Sequence, residues 1–169
     1  MTVADQIQSE ATIRHILQTV YDPEIPVLSV IDLGIIREIR FDSADNAAII
    51  ITPTYSGCPA MDVISMNIKM AMLSHGFKHV TVSQVLSPAW TTDWMSEEGK
   101  KKLKEYGIAP PNPKQQVCNT ALFAADEAIQ CPHCNSYHTH RISEFGSTAC
   151  KSLYQCDDCR EPFDYFKCH

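Results

Sequence analysis

The sequence has 169 residues, of which 44% are hydrophobic and 20% are charged. This length and composition support one ordinary domain with a small appendage, and they argue against a disordered chain. The formal net charge is −6, and no basic stripe is available to neutralise phosphates, which excludes general nucleic-acid binding.

Signals for membrane insertion and secretion are missing from the sequence. No stretch approaches the roughly 18 consecutive apolar residues of a membrane span. The first residues lack the basic and apolar blocks of a signal peptide. We therefore expect a cytoplasmic protein that does not bind a membrane. In that reducing compartment, the eight cysteines indicate metal or redox chemistry rather than a disulfide framework.

Hydrophobic periodicity and turn residues predict five elements in the first half of the chain. They are a helix over Ser9–Tyr21, strands over Leu33–Phe41 and Ala47–Thr54, a helix over Pro59–Ser74 and a strand over His79–Leu86. This order predicts a compact α-β-β-α-β sandwich, of the α/β or α+β class, with one mixed or antiparallel sheet.

A short helix and a proline-rich segment follow. Ser96 can cap a helix that runs to Tyr106, and Gly107 can terminate it. The sequence Ala109–Pro113 then indicates a semi-rigid linker. We therefore predict an α/β domain over residues 1–108, a linker over 109–128 and a zinc-ribbon-like β module over 129–169.

Two Cys-x-x-Cys pairs give the strongest local chemical signal. Cys131 and Cys134 form the first pair, and Cys156 and Cys159 form the second. Each pair lets two sulfurs face one ion from a tight turn, so two pairs complete a tetrahedron of soft ligands. The segment between the pairs is long enough for a β-hairpin. The pattern predicts a structural Zn²⁺ site, with iron in a rubredoxin-like site as the alternative.

The other cysteines of the tail are less specific. Cys150 and Cys168 are spare thiols that can be buried, redox-active or replacement ligands, and Cys118 is interpreted as a bystander. Three histidines are expected to lie at the surface or to contact the metal ligands without binding the metal: His133, His138 and His140.

Cys58 is the most informative single thiol because it stands between Gly57 and Pro59, where the second helix is predicted to begin. A thiolate there faces unpaired backbone N–H groups and the positive end of the helix dipole. Both predict a lowered pKa and reactivity towards metal or sulfur. The alternative is a buried structural cysteine. The predicted N-terminal domain holds no second cysteine, so a cluster at Cys58 needs a partner chain, a second copy or a thiol from the tail.

Two acidic residues, Asp22 and Glu24, lie in a proline-fixed loop between the first helix and the first strand. They can bind a metal or orient a cysteine, or they can simply turn and cap the chain.

Both tryptophans of the chain, Trp90 and Trp94, follow the third predicted strand. They are candidates for docking a partner protein, because Trp is enriched among interface anchors. The alternative is that they pack back as a lid over the sheet.

Three N-terminal motifs together resemble the signature of a small domain of cytosolic iron–sulfur assembly factors. They are Asp22–Val27, Asp32–Gly34 and Thr52–Pro59, and the resemblance covers about residues 10–88. It implies that the cysteine at position 58 is the functional thiol and that the loop with Asp22 and Glu24 is important.

The rest of the chain resembles the D subunits of bacterial phenylacetyl-CoA 1,2-epoxidases. The segments that carry the resemblance are Pro88–Met95, Glu105–Ile108, Pro110–Pro111, Ser143–Lys151 and Glu161–Cys168. The resemblance implies a subunit of a multicomponent monooxygenase of phenylacetate catabolism that lies outside the catalytic core. It also implies a role in maturing an iron–sulfur centre, that of the reductase, which carries flavin and a [2Fe–2S] cluster.

These observations lead to the hypothesis of an accessory protein that transiently holds iron–sulfur material at Cys58. The implied partners are the reductase and oxygenase components, with a homodimer as a further option. Catalysis by this chain alone is not expected, because no motif of a self-contained hydrolase, kinase or dehydrogenase is present. Two other classes stay open: a structural or regulatory subunit that never touches a cluster, and an electron carrier with iron in the tail.

Overall fold

The computed structural model describes residues 9–42, 45–111 and 129–167. Its contacts divide the chain into two units. The first comprises Met1–Trp90 and Trp94–Gly99, and the second comprises Thr91–Asp93 and Lys100–His169. Most of the predicted linker, residues 112–128, lies outside the described residues. No helix in the described ranges is long and apolar enough to cross a membrane.

The first unit follows the α-β-β-α-β order. Its elements are α1 (Glu10–Leu17), β1 (Ile36–Phe41), β2 (Asn46–Ile51), α2 (Ala60–Ser74) and β3 (His79–Gln84). Strand β2 is central, because it pairs antiparallel with β1 and parallel with β3. The parallel pair requires a crossover, which α2 supplies. The predicted small sandwich with a mixed sheet is confirmed.

The core of the first unit lies on the face of the sheet that the helices cover. Along β2, the side chains alternate between buried and half-buried, as expected for a strand with one covered face. Helix α2 packs against β3 and α1. The most deeply buried side chains of these elements are Ile13, Leu17, Ile49, Ile51, Ile64, Ile68 and Met72.

Helix α1 begins as predicted but ends early. The Ser9 hydroxyl accepts a hydrogen bond from the Thr12 N–H at 3.1 Å, which caps the helix. The helix ends at Leu17 rather than at Tyr21. Val20 is nevertheless buried, so the apolar period continues into the turn that follows the helix.

A 3-10 helix (Thr92–Trp94) leads into α3 (Glu97–Glu105). The predicted cap is present, because the Ser96 hydroxyl accepts a hydrogen bond from the Gly99 N–H at 2.8 Å. Gly107 ends this segment with a φ of 90°, a left-handed conformation that glycine adopts without strain. The division between the two units falls inside α3.

The second unit is a four-stranded sheet of order β4-β7-β6-β5. Its strands are β4 (Ile108–Ala109), β5 (Thr139–Ser143), β6 (Lys151–Cys156) and β7 (Pro162–Phe166). The antiparallel β5–β6 pair is the hairpin expected between the two Cys-x-x-Cys pairs. Strand β4 was not predicted, and it adds to the sheet in parallel with β7. The core of this module consists of Ala109, Ile129, Cys131, Tyr154, Cys156, Phe163 and Tyr165.

Candidate functional site

Cys58 lies at the end of the loop that connects β2 to α2. Gly57 has a φ of 83°, a left-handed conformation that turns the chain towards the helix. Pro59 is the N-cap residue, with a φ of −68° that already matches the helix. The Ala60 N–H, one of the free donors of the first turn, donates to the Cys58 sulfur. The sequence thus places a half-buried thiol at the N-terminus of α2.

The pKa of Cys58 is raised, not lowered as predicted. Burial raises the pKa of this thiol, and the negative charges of Glu24 and Asp22 raise it further. The Ala60 N–H and the Tyr55 side chain donate to the sulfur and act in the opposite direction. The prediction considered only the local helix N-terminus and omitted the partial burial and the acidic loop.

Asp22 and Glu24 belong to a tightly turned loop. The Asp22 carboxylate accepts hydrogen bonds from the N–H groups of Glu24 at 2.7 Å and Ile25 at 2.9 Å. Ile25 is 1% exposed and anchors the loop in the core. Asp22 therefore turns the chain, and the loop also brings two negative charges close enough to Cys58 to shift its pKa.

Cys58 offers a single sulfur to a metal. Among the described residues, no group of three or more clustered Cys, His, Asp or Glu donor atoms includes Cys58; the one such group lies in the tail. Iron or a cluster at Cys58 therefore needs further ligands in addition to the side chains around this thiol.

The four tail cysteines form that metal-binding group. All of their sulfur atoms lie within 4.8 Å of one another. The sulfurs of Cys131 and Cys159 are 3.7 Å apart, and those of Cys134 and Cys156 are 3.5 Å apart. A tetrahedron of thiolates with Zn–S bonds of about 2.3 Å has sulfur–sulfur edges of about 3.8 Å. The arrangement therefore fits one Zn²⁺ ion.

The two Cys-x-x-Cys turns share one backbone geometry. In the first turn, the Asn135 N–H donates to the Cys131 carbonyl at 2.9 Å, and in the second the Arg160 N–H donates to the Cys156 carbonyl at 3.0 Å. Asn135 and Arg160 have φ values of 64° and 67°. Burial and the neighbouring sulfurs raise the pKa of Cys159 to about 12. The Cys159 and Asp158 N–H groups donate to the Cys156 sulfur and lower the pKa of that thiol to about 7. Such donors favour the thiolate that a metal requires.

Two family models match the chain, one in its N-terminal part and one in its C-terminal part. The model described as an iron-sulfur cluster assembly protein matches residues 10–83. The model described as the PaaD zinc beta ribbon domain matches residues 115–167. The tail is accordingly a zinc β-ribbon, with four cysteines clustered for metal binding.

One curated relative matches nearly the whole chain. It carries the name of the D subunit of 1,2-phenylacetyl-CoA epoxidase and comes from Escherichia coli strain K12. The two are 50% identical over 153 residues, which cover 90% of this chain and 89% of the relative. The chain belongs to this family of epoxidase D subunits.

The N-terminal unit of this D-subunit family member has relatives of its own. An Fe-S protein maturation auxiliary factor of Porphyromonas gingivalis is 39% identical over 98 residues, which are 57% of this chain and 92% of the relative. The crystal structure of a DUF59 domain from Bacillus anthracis is 26% identical with a TM-score of 0.52, and it covers 59% of this chain and 92% of that domain.

The structure places the two tryptophans of this D-subunit family member in different environments. Trp90 is 2% exposed, and its indole N–H donates to the Leu33 carbonyl at 2.9 Å. The packing alternative therefore fits Trp90 better than a docking role. Trp94 is half-buried and lies beneath the Arg37 guanidinium, 3.7 Å from the ring centre.

The remaining candidates of the tail lie outside the four-sulfur group. His138 and His140 contact Asp158 at 3.2 Å and Asp157 at 3.1 Å, on the second Cys-x-x-Cys turn. His133 is exposed. Cys150 is buried, with its sulfur 3.0 Å from the Thr148 hydroxyl. Cys118 and Cys168 lie outside the described residues.

Sequence reasoning missed one buried polar residue of the first unit. Asp32 is 3% exposed, and its carboxylate accepts hydrogen bonds from Ser29 and Ser96. The motif Asp32–Gly34 was noticed, but the partner Ser96 was predicted only as a helix cap. No local pattern indicates a contact between residues so far apart in sequence.

Proposed function

We propose that this chain is a cytoplasmic accessory protein that helps to mature the iron–sulfur centre of the phenylacetyl-CoA epoxidase reductase. The observation that carries the proposal is the position of the Cys58 thiol at the N-terminus of α2, within the influence of Glu24 and Asp22. The 39% sequence identity of this unit to an Fe-S protein maturation auxiliary factor supports the proposal. Iron–sulfur material is the cargo of this site, not a resident cofactor.

The chemistry of Cys58 suits transient binding of that cargo. With its raised pKa, the thiol stays protonated at neutral pH until a metal displaces the proton. The carboxylates of Glu24 and Asp22 disfavour a free thiolate, but they favour the approach of a cation. A single protein thiolate also leaves most positions of a cluster to other ligands, so that release to a client apoprotein is not opposed by a full set of ligands.

The tail has a different role in this proposal. We assign Cys131, Cys134, Cys156 and Cys159 as ligands of one structural Zn²⁺ ion. All four positions of the tetrahedron are then filled by protein, which leaves none open for chemistry. The zinc site stiffens a module that gives the chain a contact surface for the oxygenase component, and Trp94 is a candidate contact residue of the first unit.

The proposal is tested by anaerobic cluster transfer to the apo-reductase. The chain is loaded with iron and sulfide, and the reductase absorption and activity that appear on mixing are measured. We expect Cys58→Ala to abolish the transfer, while Cys150→Ala, which removes a thiol from the zinc module, leaves it unchanged.

The same experiment separates the alternative functions. If Cys58→Ala transfers as much cluster as the parent chain, the proposal fails and a structural or regulatory role is favoured. A purified protein whose tail holds redox-active iron, visible by its colour and elemental content, would instead support an electron carrier.

A further inference from the structure

Helix α2 carries an apolar stripe on its exposed side. The stripe begins at Pro59 and continues through Val63, Met66 and Met70 to Leu73, which are spaced four, three, four and three residues apart. Val63, Met66 and Met70 are 46%, 66% and 61% exposed, whereas Leu73 at the end of the stripe is half-buried. We call these five residues the α2 stripe. At a rise of about 1.5 Å per residue, it is about 21 Å long.

The α2 stripe is unusual for a helix that packs on a sheet. A surface helix normally has one apolar face towards the core and a polar face towards solvent. Ile64, Ile68 and Met72 of α2 already face the core, each at most 1% exposed. The stripe is therefore a second apolar face, with the spacing of residues that insert into a groove of another protein.

The α2 stripe is also continuous with the proposed cargo site. Pro59, its first residue, directly follows Cys58 and is exposed. A partner segment that binds along the α2 stripe therefore has one of its ends beside the Cys58 thiol. Asp62 and Lys69 are exposed on one flank of the stripe, two helical turns apart. They offer a negative charge near the thiol and a positive charge further along the helix.

The size and composition of the α2 stripe indicate whether a second copy of the chain or a transient partner protein covers it. A stable dimer interface engages about 20–30 residues on each side, whereas the stripe offers five. Exposed methionines adapt to differently shaped surfaces, as at promiscuous binding sites. Both observations favour a transient partner over a permanent second copy.

We infer that the α2 stripe is the docking surface for the client apoprotein, which receives it in a narrow apolar groove with a basic group opposite Asp62 and an acidic group opposite Lys69. This inference rests on the proposed function, because it names the surface by which the client reaches Cys58. The client groove accepts α2 as an amphipathic helix, and the complex dissociates after transfer.

The test measures the dissociation constant of the full chain for the apo-reductase by calorimetry. We expect the double variant Met66→Glu/Met70→Glu to weaken binding about tenfold or more, since apolar anchors dominate such interfaces. The matched control is Leu86→Glu, since Leu86 is 65% exposed and lies outside the stripe; it should change binding by less than about twofold. Met66→Leu/Met70→Leu keeps the apolar surface and should bind like the parent chain.

Each outcome supports or overturns the inference. If the double Glu variant binds the apo-reductase as tightly as the parent chain, the inference about the stripe is overturned and the proposed function still stands. Cys58→Ala should bind the apo-reductase normally and lose only cluster transfer. A parent chain that does not bind the apo-reductase overturns both the inference and the proposed function. Sedimentation of the free chain completes the test. A stable dimer that the double Glu variant dissociates would show that a second copy covers the stripe, and it would overturn the inference.

Discussion

Ser96 donates two hydrogen bonds to Asp32, which lies 64 residues earlier in the chain. Its N–H donates to the Asp32 carbonyl at 2.9 Å, and its hydroxyl donates to Oδ1 of the same residue at 3.0 Å. The other carboxylate oxygen accepts from the Ser29 hydroxyl at 2.8 Å and from the Gln18 amide at 3.3 Å. One buried carboxylate thus connects the loop after α1 to the start of α3.

We expect Asp32→Ala to lower the free energy of unfolding by about 2–4 kcal/mol, because it leaves several buried donors without their acceptor. Urea denaturation followed by circular dichroism measures the loss. Asp93→Ala, at an exposed position, serves as the control and should change stability by less than about 0.5 kcal/mol. Equal stabilities of the two variants would show that the Asp32 hydrogen bonds contribute nothing to folding.

Gly34 is packed against the backbone at Trp94. A Cβ atom at Gly34 would lie 1.8 Å from the Trp94 carbonyl oxygen, and its φ is 65°. Gly57 has a φ of 83°, but a Cβ there would meet nothing within 4 Å. The two glycines therefore separate the conformational effect of alanine from its steric effect.

We expect Gly57→Ala to destabilise the protein by about 1–2 kcal/mol through its left-handed backbone alone. Gly34→Ala should exceed this loss by about 1–3 kcal/mol, because the 3-10 helix must also shift to relieve the overlap. Thermal and urea unfolding of both variants give the comparison. Similar losses at the two positions would mean that the Trp94 backbone moves away freely.

The sequence was sufficient to predict the elements whose pattern is local. The unbroken apolar run Ile49–Ile51 in β2 and the glycine and proline around α2 predicted the sandwich, and the spacing of the Cys-x-x-Cys pairs predicted the β5–β6 hairpin. Strand β4 was missed because it has two residues, Ile108 and Ala109, and its partner β7 is distant in sequence. Pairing of this kind depends on tertiary structure, which a local pattern does not contain.

The candidate site shows the same limit. Cys58, Asp22 and Glu24 were identified from sequence, but the direction of the Cys58 pKa shift was wrong. The helix N-terminus is a local feature, whereas the burial and the approach of the acidic loop depend on the whole unit. The packing of Trp90 and the hydrogen bonds of Asp32 likewise depend on long-range contacts.

The zinc site gives a compositional prediction. We expect one Zn²⁺ per chain by elemental analysis, and we expect Cys131→Ser to lose it, because Cys131 is one of the four clustered sulfurs and is fully buried. Structural zinc contributes on the order of 10 kcal/mol to small metal-bound modules. The near-ultraviolet circular dichroism from the packed rings of Tyr154, Phe163 and Tyr165 should therefore be lost as well.

Cys150→Ala is the matched control for the zinc prediction, since Cys150 is also buried in the second unit but lies outside the sulfur group. It should retain one zinc and the aromatic signal. Loss of zinc from this variant, with retention in Cys131→Ser, would reassign the ligands of the tail.

The acidic loop gives a prediction for the reactivity of Cys58. Alkylation by iodoacetamide requires the thiolate, so its rate at Cys58, followed by peptide mass spectrometry, should rise with pH to a midpoint above that of an unstructured cysteine. The reason is the raised pKa, which burial and the charges of Glu24 and Asp22 produce. Glu24→Gln removes one negative charge that opposes the thiolate. It should therefore lower the midpoint and accelerate alkylation at neutral pH.

Two further variants complete the test of the acidic loop. Asp22→Asn keeps the side-chain oxygen that accepts from the N–H groups of Glu24 and Ile25, so it should lower the Cys58 midpoint without unfolding the loop. Glu98→Gln removes a charge at an exposed position of α3 that is not among the groups acting on Cys58, and it should leave the midpoint unchanged. A midpoint that stays the same in Glu24→Gln and Asp22→Asn would mean that burial alone raises the pKa. In that case, Glu24 and Asp22 would lack the electrostatic influence on Cys58 that the proposed function assigns to them.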